Sequence, residues 1–238
     1  MEDDELPPVW VHRSHHGRFL LAFLAMLLLA AVILIFLEAS EFAFEKIGFT
    51  PFEFAMILLL TLVGSGIDIP IYKVKSLVPI VQEQEIRAYW VTYRMPRRVF
   101  REVTTIIAVN LGGAVIPASV SIYLLATHPG SLLAALVATV VTSALVHLVS
   151  RRVPGVGIVA PSFVPPLFAA VAAYLLMPTS PAIVAYVSGT LGTLIGADLT
   201  NLRHADNSGA YMESIGGAGT FDGVFLTGIM AVILAAIF

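Results

Sequence analysis

The chain has 238 residues, 58% hydrophobic and 12% charged, with a mean hydropathy of +0.91 and a formal net charge of −3. Soluble domains carry about 25% charged residues, so this composition points to an integral membrane protein rather than a soluble enzyme. The small net charge and the placing of the basic residues in short loops argue against nucleic acid, and the lack of cysteine excludes disulfides, thiol catalysis and cysteine metal sites.

In chain order, residues 1–18 form an arm that carries Arg13 and Arg18, and residues 19–238 read as a single membrane domain. A membrane-crossing helix needs roughly 20 mainly apolar residues. The first such stretch, about 19–37, lacks a small-x-small cleavage site and reads as a retained anchor rather than a signal peptide. After it, "EASEFAFEKIGFT" suggests an interfacial amphipathic helix anchored by Phe42, Phe44, Ile47 and Phe49. A second span is expected over about 51–67. From Ile69 to Arg101 the sequence is rich in β-branched and aromatic residues, which predicts a small β-hairpin. Two roles are open for it: a structured flap resting on lipid headgroups through its arginines, or a gate whose edge pairs with an extended peptide. Further spans follow at about 103–126, 131–150, 158–177, 181–201 and 219–238. The expected fold is an all-α integral membrane protein of about seven transmembrane helices, some broken at Gly or Pro, with a cytoplasmic β-hairpin inserted at about 69–101.

Of the thirteen basic residues, all but Lys46 fall on one side of this arrangement: the arm, the hairpin, Arg151 and Arg152, and Arg203. The positive-inside rule then predicts a multi-pass protein of the cell membrane, with its N-terminus cytoplasmic and its C-terminus outside.

Glycine and proline cluster in "GSGIDIP" (64–70), "NLGGAVIP" (110–117), "PGVGIVAPSFVPP" (154–166), "GTLGTLIGAD" (189–198) and "GGAGTFDG" (216–223). Such residues break helical backbone or let chains approach closely. Irregular backbone at membrane depth must be buried in protein or face water, so these clusters should converge on an interior. In "GTLGTLIG", Gly189, Gly192 and Gly196 line one face, as small-residue helix packing requires.

Three aspartates stand at such breaks: Asp68, Asp198 and Asp222. The expected topology puts Asp198 and Asp222 at similar depth on consecutive antiparallel helices. Ionisable groups there are costly and are functional by default. Two close carboxylates share a proton and so provide a general base and a general acid together. Site-shaping partners would be Gly196, Asn201, Gly217, Gly219, Thr220 and Gly223, with Asn110 and Asp68 as further polar candidates. Simple helix capping, or an ion or proton site, would explain the same aspartates. His147 reads as an interface residue. The cluster His12, His15 and His16 is too loose for a metal. No metal or cofactor is expected.

The string "GSGIDIP", "AVNLGGAVIP", "GVGIVAP", "GTLIGADLTNL" and "IGGAGTFDGVFLTG" resembles an uncharacterised prokaryotic membrane family, domain of unknown function 1614, over roughly residues 55–238. That family's pattern has Asn at the position of Asp68, which weighs against Asp68 as a catalyst. The surroundings of Asp198 and Asp222 are also similar to presenilin-type intramembrane aspartyl proteases. In those enzymes the two aspartates lie on a descending span and on the next returning one. The likeness implies a catalytic dyad of Asp198 and Asp222 acting on transmembrane protein substrates. Here Ala197 replaces the tyrosine of that family's Tyr-Asp, and Phe221 stands before Asp222 in place of glycine. The expectation is an intramembrane aspartyl protease; a small ion- or proton-coupled transporter and a non-catalytic scaffold are the alternatives.

Overall fold

The computed structural model describes residues 15–88, 91–153, 157–159, 161–202, 212–217 and 223–237. The chain divides into two compact units, Met1–Ala39 and Ser40–Phe238. Seven α-helices occur among the described residues: α1 His15–Lys46, α2 Pro51–Gly64, α3 Ile116–Thr127, α4 Leu132–Val149, α5 Val164–Leu176, α6 Pro181–Thr193 and α7 Gly223–Ile237. Three are long and apolar enough to cross a membrane, running Arg18–Lys46, Pro129–Val149 and Pro181–Leu202 with their flanking turns. The other four apolar helices are shorter, between Pro51–Gly64 and Gly223–Ala236. The structure is thus mostly helical and suits a membrane protein.

The described residues of the first unit are helix, with side chains from Phe19 to Ile35 exposed. In the second unit, α6 is the central helix. Every residue from Ile183 to Thr190 is buried. It packs against α4, α5 and α7, whose facing positions are small: Ala135 and Ala138 on α4, Ala169, Ala170 and Ala173 on α5, Ala231 and Ala235 on α7. Small side chains let helix axes approach and gain dispersion contacts along their length.

Phe44 closes one end of this bundle. Its ring lies 5.1 Å from Phe54, 5.6 Å from Phe49, 5.8 Å from Tyr186 and 6.2 Å from Phe225 between centroids. This corrects the expected interfacial helix. The segment continues α1 to Lys46, and Phe44 and Ile47 are core residues at 0% and 2% exposure. Only Phe42 keeps an exposed ring, beneath the Lys46 ammonium. α2 then starts at a capping box, in which the Thr50 amide donates to Glu53 Oε2 and the Glu53 amide donates to Thr50 Oγ1, with Pro51 in the first turn.

The hairpin is longer than expected. β1 runs Asp68–Ala88 and β2 runs Val91–Asn110, paired antiparallel from Asp68↔Asn110 to Ala88↔Val91, with a bulge between Pro70 and Tyr72. The first third of the expected span at 103–126 is therefore strand. Thr104, Thr105, Ile106, Ile107 and Val109 are β-branched, which restricts χ1 in a helix and suits a pleated surface. With β1 as partner the strand persists to Asn110. A π-helical turn, Leu111–Val115, then leads into α3. The expected span at 158–177 likewise shortens, since Gly157–Val159 is strand β4, paired with β3 (Arg151–Val153), and α5 starts only at Val164. A short fifth strand, β5 Met212–Ile215, adds to β2 in parallel, giving the order β1-β2-β5.

Candidate functional site

The glycine-rich breaks converge, as irregular backbone requires. Gly112 in the first π-turn rests on the C-terminal end of α2. A Cβ added to it would overlap the Thr61 carbonyl and the Ser65 amide and lie 2.8 Å from the Gly64 carbonyl carbon. Gly216, just beyond β5, packs on the same turn: its Cβ would lie 2.7 Å from both Ala114 Cβ and Ala114 N. Gly216 and Gly217 both have positive φ, +83° and +101°, a region that favours glycine.

Asn110 is the clasp of this junction, at 1% exposure. Its Nδ2 donates to the Ser65 carbonyl at 2.8 Å and to Asp68 Oδ1 at 3.1 Å. Its Oδ1 accepts the Gly113 amide at 2.8 Å, which caps the π-turn. One side-chain amide thus ties the end of α2, the start of β1 and the start of the turn before α3. Asp68 Oδ1 also accepts the Ser214 hydroxyl from β5. The register makes this pairing possible: Asp68 lies opposite Asn110, and Ser214 pairs with Ala108 on the same face of the sheet.

Asp198 ends a second π-helical turn, Leu194–Asp198, which follows α6. Its Oδ2 accepts the Gly216 amide at 2.7 Å. The tripeptide Ser214–Gly216 is therefore bracketed by two carboxylates, Asp68 at one end and Asp198 at the other. π-turns in helices are rare and occur often at functional sites; here one precedes α3 and the other carries Asp198.

Of the residues expected at the site, Asp68 and Asn110 share one hydrogen-bond network, and Asp198, Gly196 and Gly217 lie beside its far end. Asn201 turns back on its own helix, its Nδ2 donating to the Ala197 carbonyl at 2.7 Å. Gly223 opens α7 with none of the described residues near its Cβ. Gly219, Thr220 and Asp222 lie outside the described residues. Gly189, Gly192 and Gly196 are packing glycines, though not against one neighbour. Gly189 meets Ala231 and Thr227, whereas Gly192 meets Thr142 and Gly196 meets Ser143.

Sequence reasoning missed Ser214 and Ser65. Ser214 stands in no motif, and Ser65 lies in "GSGIDIP" without a signal of its own; only the parallel addition of β5 and the fold of α2 over the π-turn give them roles. His147 makes a contact between helical segments. Its Nδ1 lies 2.8 Å from Thr200 Oγ1, whose own proton goes to the Gly196 carbonyl at 2.7 Å. A hydroxyl has one proton to give, so His147 Nδ1 is the donor, tying α4 to the end of α6. Among the described residues, no group of three or more His, Cys, Asp or Glu is placed to hold a metal ion.

The family model described as "Protein of unknown function (DUF1614)" matches residues 62–234. No curated protein and no solved structure matches the chain.

Proposed function

The chain belongs to this family, whose description carries no activity, and from its site we propose that the protein is an intramembrane aspartyl peptidase. Asp198 and Asp222 would act on peptide bonds of membrane-embedded proteins, with water as nucleophile. The supporting observation is Asp198: its carboxylate sits at the end of a π-turn and grips the amide of Gly216, six residues before Asp222 in sequence. In the proposed step one carboxylate takes a proton from water, which attacks the scissile carbonyl, and the other protonates the leaving amine. The pair titrates as a unit, so neither residue alone is assigned as base. The N-terminus and hairpin face the cytoplasm on this reading, because the basic residues gather there. Cleavage of a transmembrane reporter by purified protein tests it. Activity should fall to background in Asp198→Asn and in Asp222→Asn and persist in Asp68→Asn; cleavage that survives both of the first two changes would sink the proposal.

A second reading has its own observation. Asp68 Oδ1, the Ser214 hydroxyl and the Ser65 carbonyl gather oxygen atoms around Asn110 between two π-turns, and unwound backbone beside a carboxylate is how transporters hold cations or protons. On that reading Asp68→Asn abolishes ion flux into proteoliposomes and Asp222→Asn leaves it intact.

A further inference from the structure

We infer that Ser214 and Asp68 are positioning residues for the proposed dyad: the Ser214 hydroxyl, seated on Asp68, sets where the Gly216 amide meets the Asp198 carboxylate. The inference rests on the peptidase reading above and adds to it two side chains that act through the backbone rather than on substrate. Gly216 cannot place itself. It has no side chain, and its positive φ, followed by another at Gly217, turns the chain out of the strand. Its position is inherited from the π-turn on which it packs and from β5 just before it.

β5 is four residues long and pairs in parallel with β2 from Ile106↔Met212 to Val109↔Ile215. Parallel pairing is slightly weaker per residue than antiparallel pairing, so a strand this short depends on its side chains. Ile215 lies on one face of the sheet, buried with Ile107 and Ala114. Apolar contact of this kind is non-directional and tolerates small shifts. Ser214 lies on the other face, with Ala108 and Asn110. Its hydrogen bond is directional, and the acceptor is itself fixed. Asp68 Oδ1 also takes the Asn110 amide, and Asn110 is buried and held by the Ser65 carbonyl and the Gly113 amide. The attachment therefore runs from the cap of the π-turn through Asn110 and Asp68 to Ser214, and two residues farther to Gly216 and Asp198. A reacting pair is sensitive to such placing, since a misplacement of about 1 Å can cost about 100-fold in rate. Position 68 needs an acceptor rather than a charge, because an Asn side chain accepts the Ser214 proton through its own carbonyl oxygen. Asp68→Asn thus keeps the anchor, whereas Asp68→Ala and Ser214→Ala remove it. Ser214→Thr keeps the hydroxyl and suits a strand.

Two measurements on the full-length protein in detergent test this. The first is kcat and KM for a transmembrane reporter, corrected for the folded fraction of each variant. The second is hydrogen exchange at the Gly216 amide, read by nuclear magnetic resonance. With carbonyl-labelled isoleucine and nitrogen-labelled glycine, only Gly48, Gly196 and Gly216 report, because each follows an isoleucine. Asp198→Ala gives the exchange rate of a Gly216 amide without that acceptor. In Ser214→Ala and in Asp68→Ala, Gly216 exchange should accelerate several-fold toward that level while Gly48 stays unchanged. In both, kcat should fall about 10- to 100-fold with KM nearly unchanged. Ser214→Thr and Asp68→Asn should restore both readouts, and Ser214→Ala should add nothing further in the Asp68→Ala background. A Gly216 amide as protected in Ser214→Ala as in the wild type overturns the inference, as does unchanged protection in Asp198→Ala. So does an activity loss that tracks only the unfolded fraction, the mark of a residue that serves stability alone. A wild type that never cleaves the reporter removes the peptidase reading instead, and Gly216 exchange then decides by itself whether Ser214 holds that amide against Asp198.

Discussion

The helical bundle and the strand–helix junction handle polar groups in opposite ways. In the bundle, α4, α6 and α7 satisfy their own backbones, and glycines serve contact alone. Among the described residues, Thr139, Thr142 and Thr193 bury hydroxyls that have no hydrogen-bond partner. At the junction the backbone leaves the helix at two π-turns and at Gly216, and side chains take over: Asn110 serves Ser65, Asp68 and Gly113, Asp68 serves Ser214, and Asp198 serves Gly216. A continuous helix needs no side chain to close its hydrogen bonds, whereas a broken one does. Polar side chains at the junction are therefore structural partners of the backbone before they are chemical groups.

That contrast can be broken at its strongest point. Asn110→Ala leaves a buried amide, a carbonyl and a carboxylate each short of a partner, at about 1–3 kcal/mol per orphaned group. It should cost more than any single bundle substitution in denaturant unfolding of the detergent-solubilised protein, and a loss below about 1 kcal/mol would refute the clasp. Next comes Gly112→Ala. Its methyl would strike backbone atoms of α2 rather than a side chain that could swing away. The expected loss is about 2–3 kcal/mol, seen as a lower unfolding midpoint.

Asp198→Asn probes the junction more gently. The amide oxygen still accepts from Gly216, so stability should fall by about 1 kcal/mol or less as the charge-assisted part of the bond is lost. On the peptidase reading the same change removes activity entirely, so cleavage and stability assays should separate. The smallest effect belongs to the bundle. Thr142→Val removes a hydroxyl with no partner among the described residues and keeps the branched shape that Gly192 meets. It should leave the unfolding midpoint unchanged or raise stability by about 1 kcal/mol; a clear loss would mean that the hydroxyl is bound in the membrane.

Several junction residues were legible in the sequence because polar groups next to Gly and Pro in an apolar chain are conspicuous. Asp68, Asn110 and Asp198 are all of this kind. Their partners were not. The Asp198 carboxylate accepts the Gly216 amide, a partner the sequence did not suggest, while its expected counterpart Asp222 lies outside the described residues; Asp68 proved more integrated than its place at the end of a span suggested. Ser214 stands in "MESI", four residues with no local signature.

The sequence by itself determined where apolar helices form, where they break and that a hairpin separates the second from the third, because apolar runs, Gly/Pro interruptions and β-branched alternation act locally. Only the tertiary structure decided that β2 continues through Val109 instead of starting a helix, that Met212–Ile215 docks beside it in parallel, and that Phe44 belongs to the core. Those outcomes depend on contacts distant in sequence. A β-branched apolar stretch becomes strand or helix according to whether a partner edge is present, and an aromatic ring becomes core or surface according to which helices close around it.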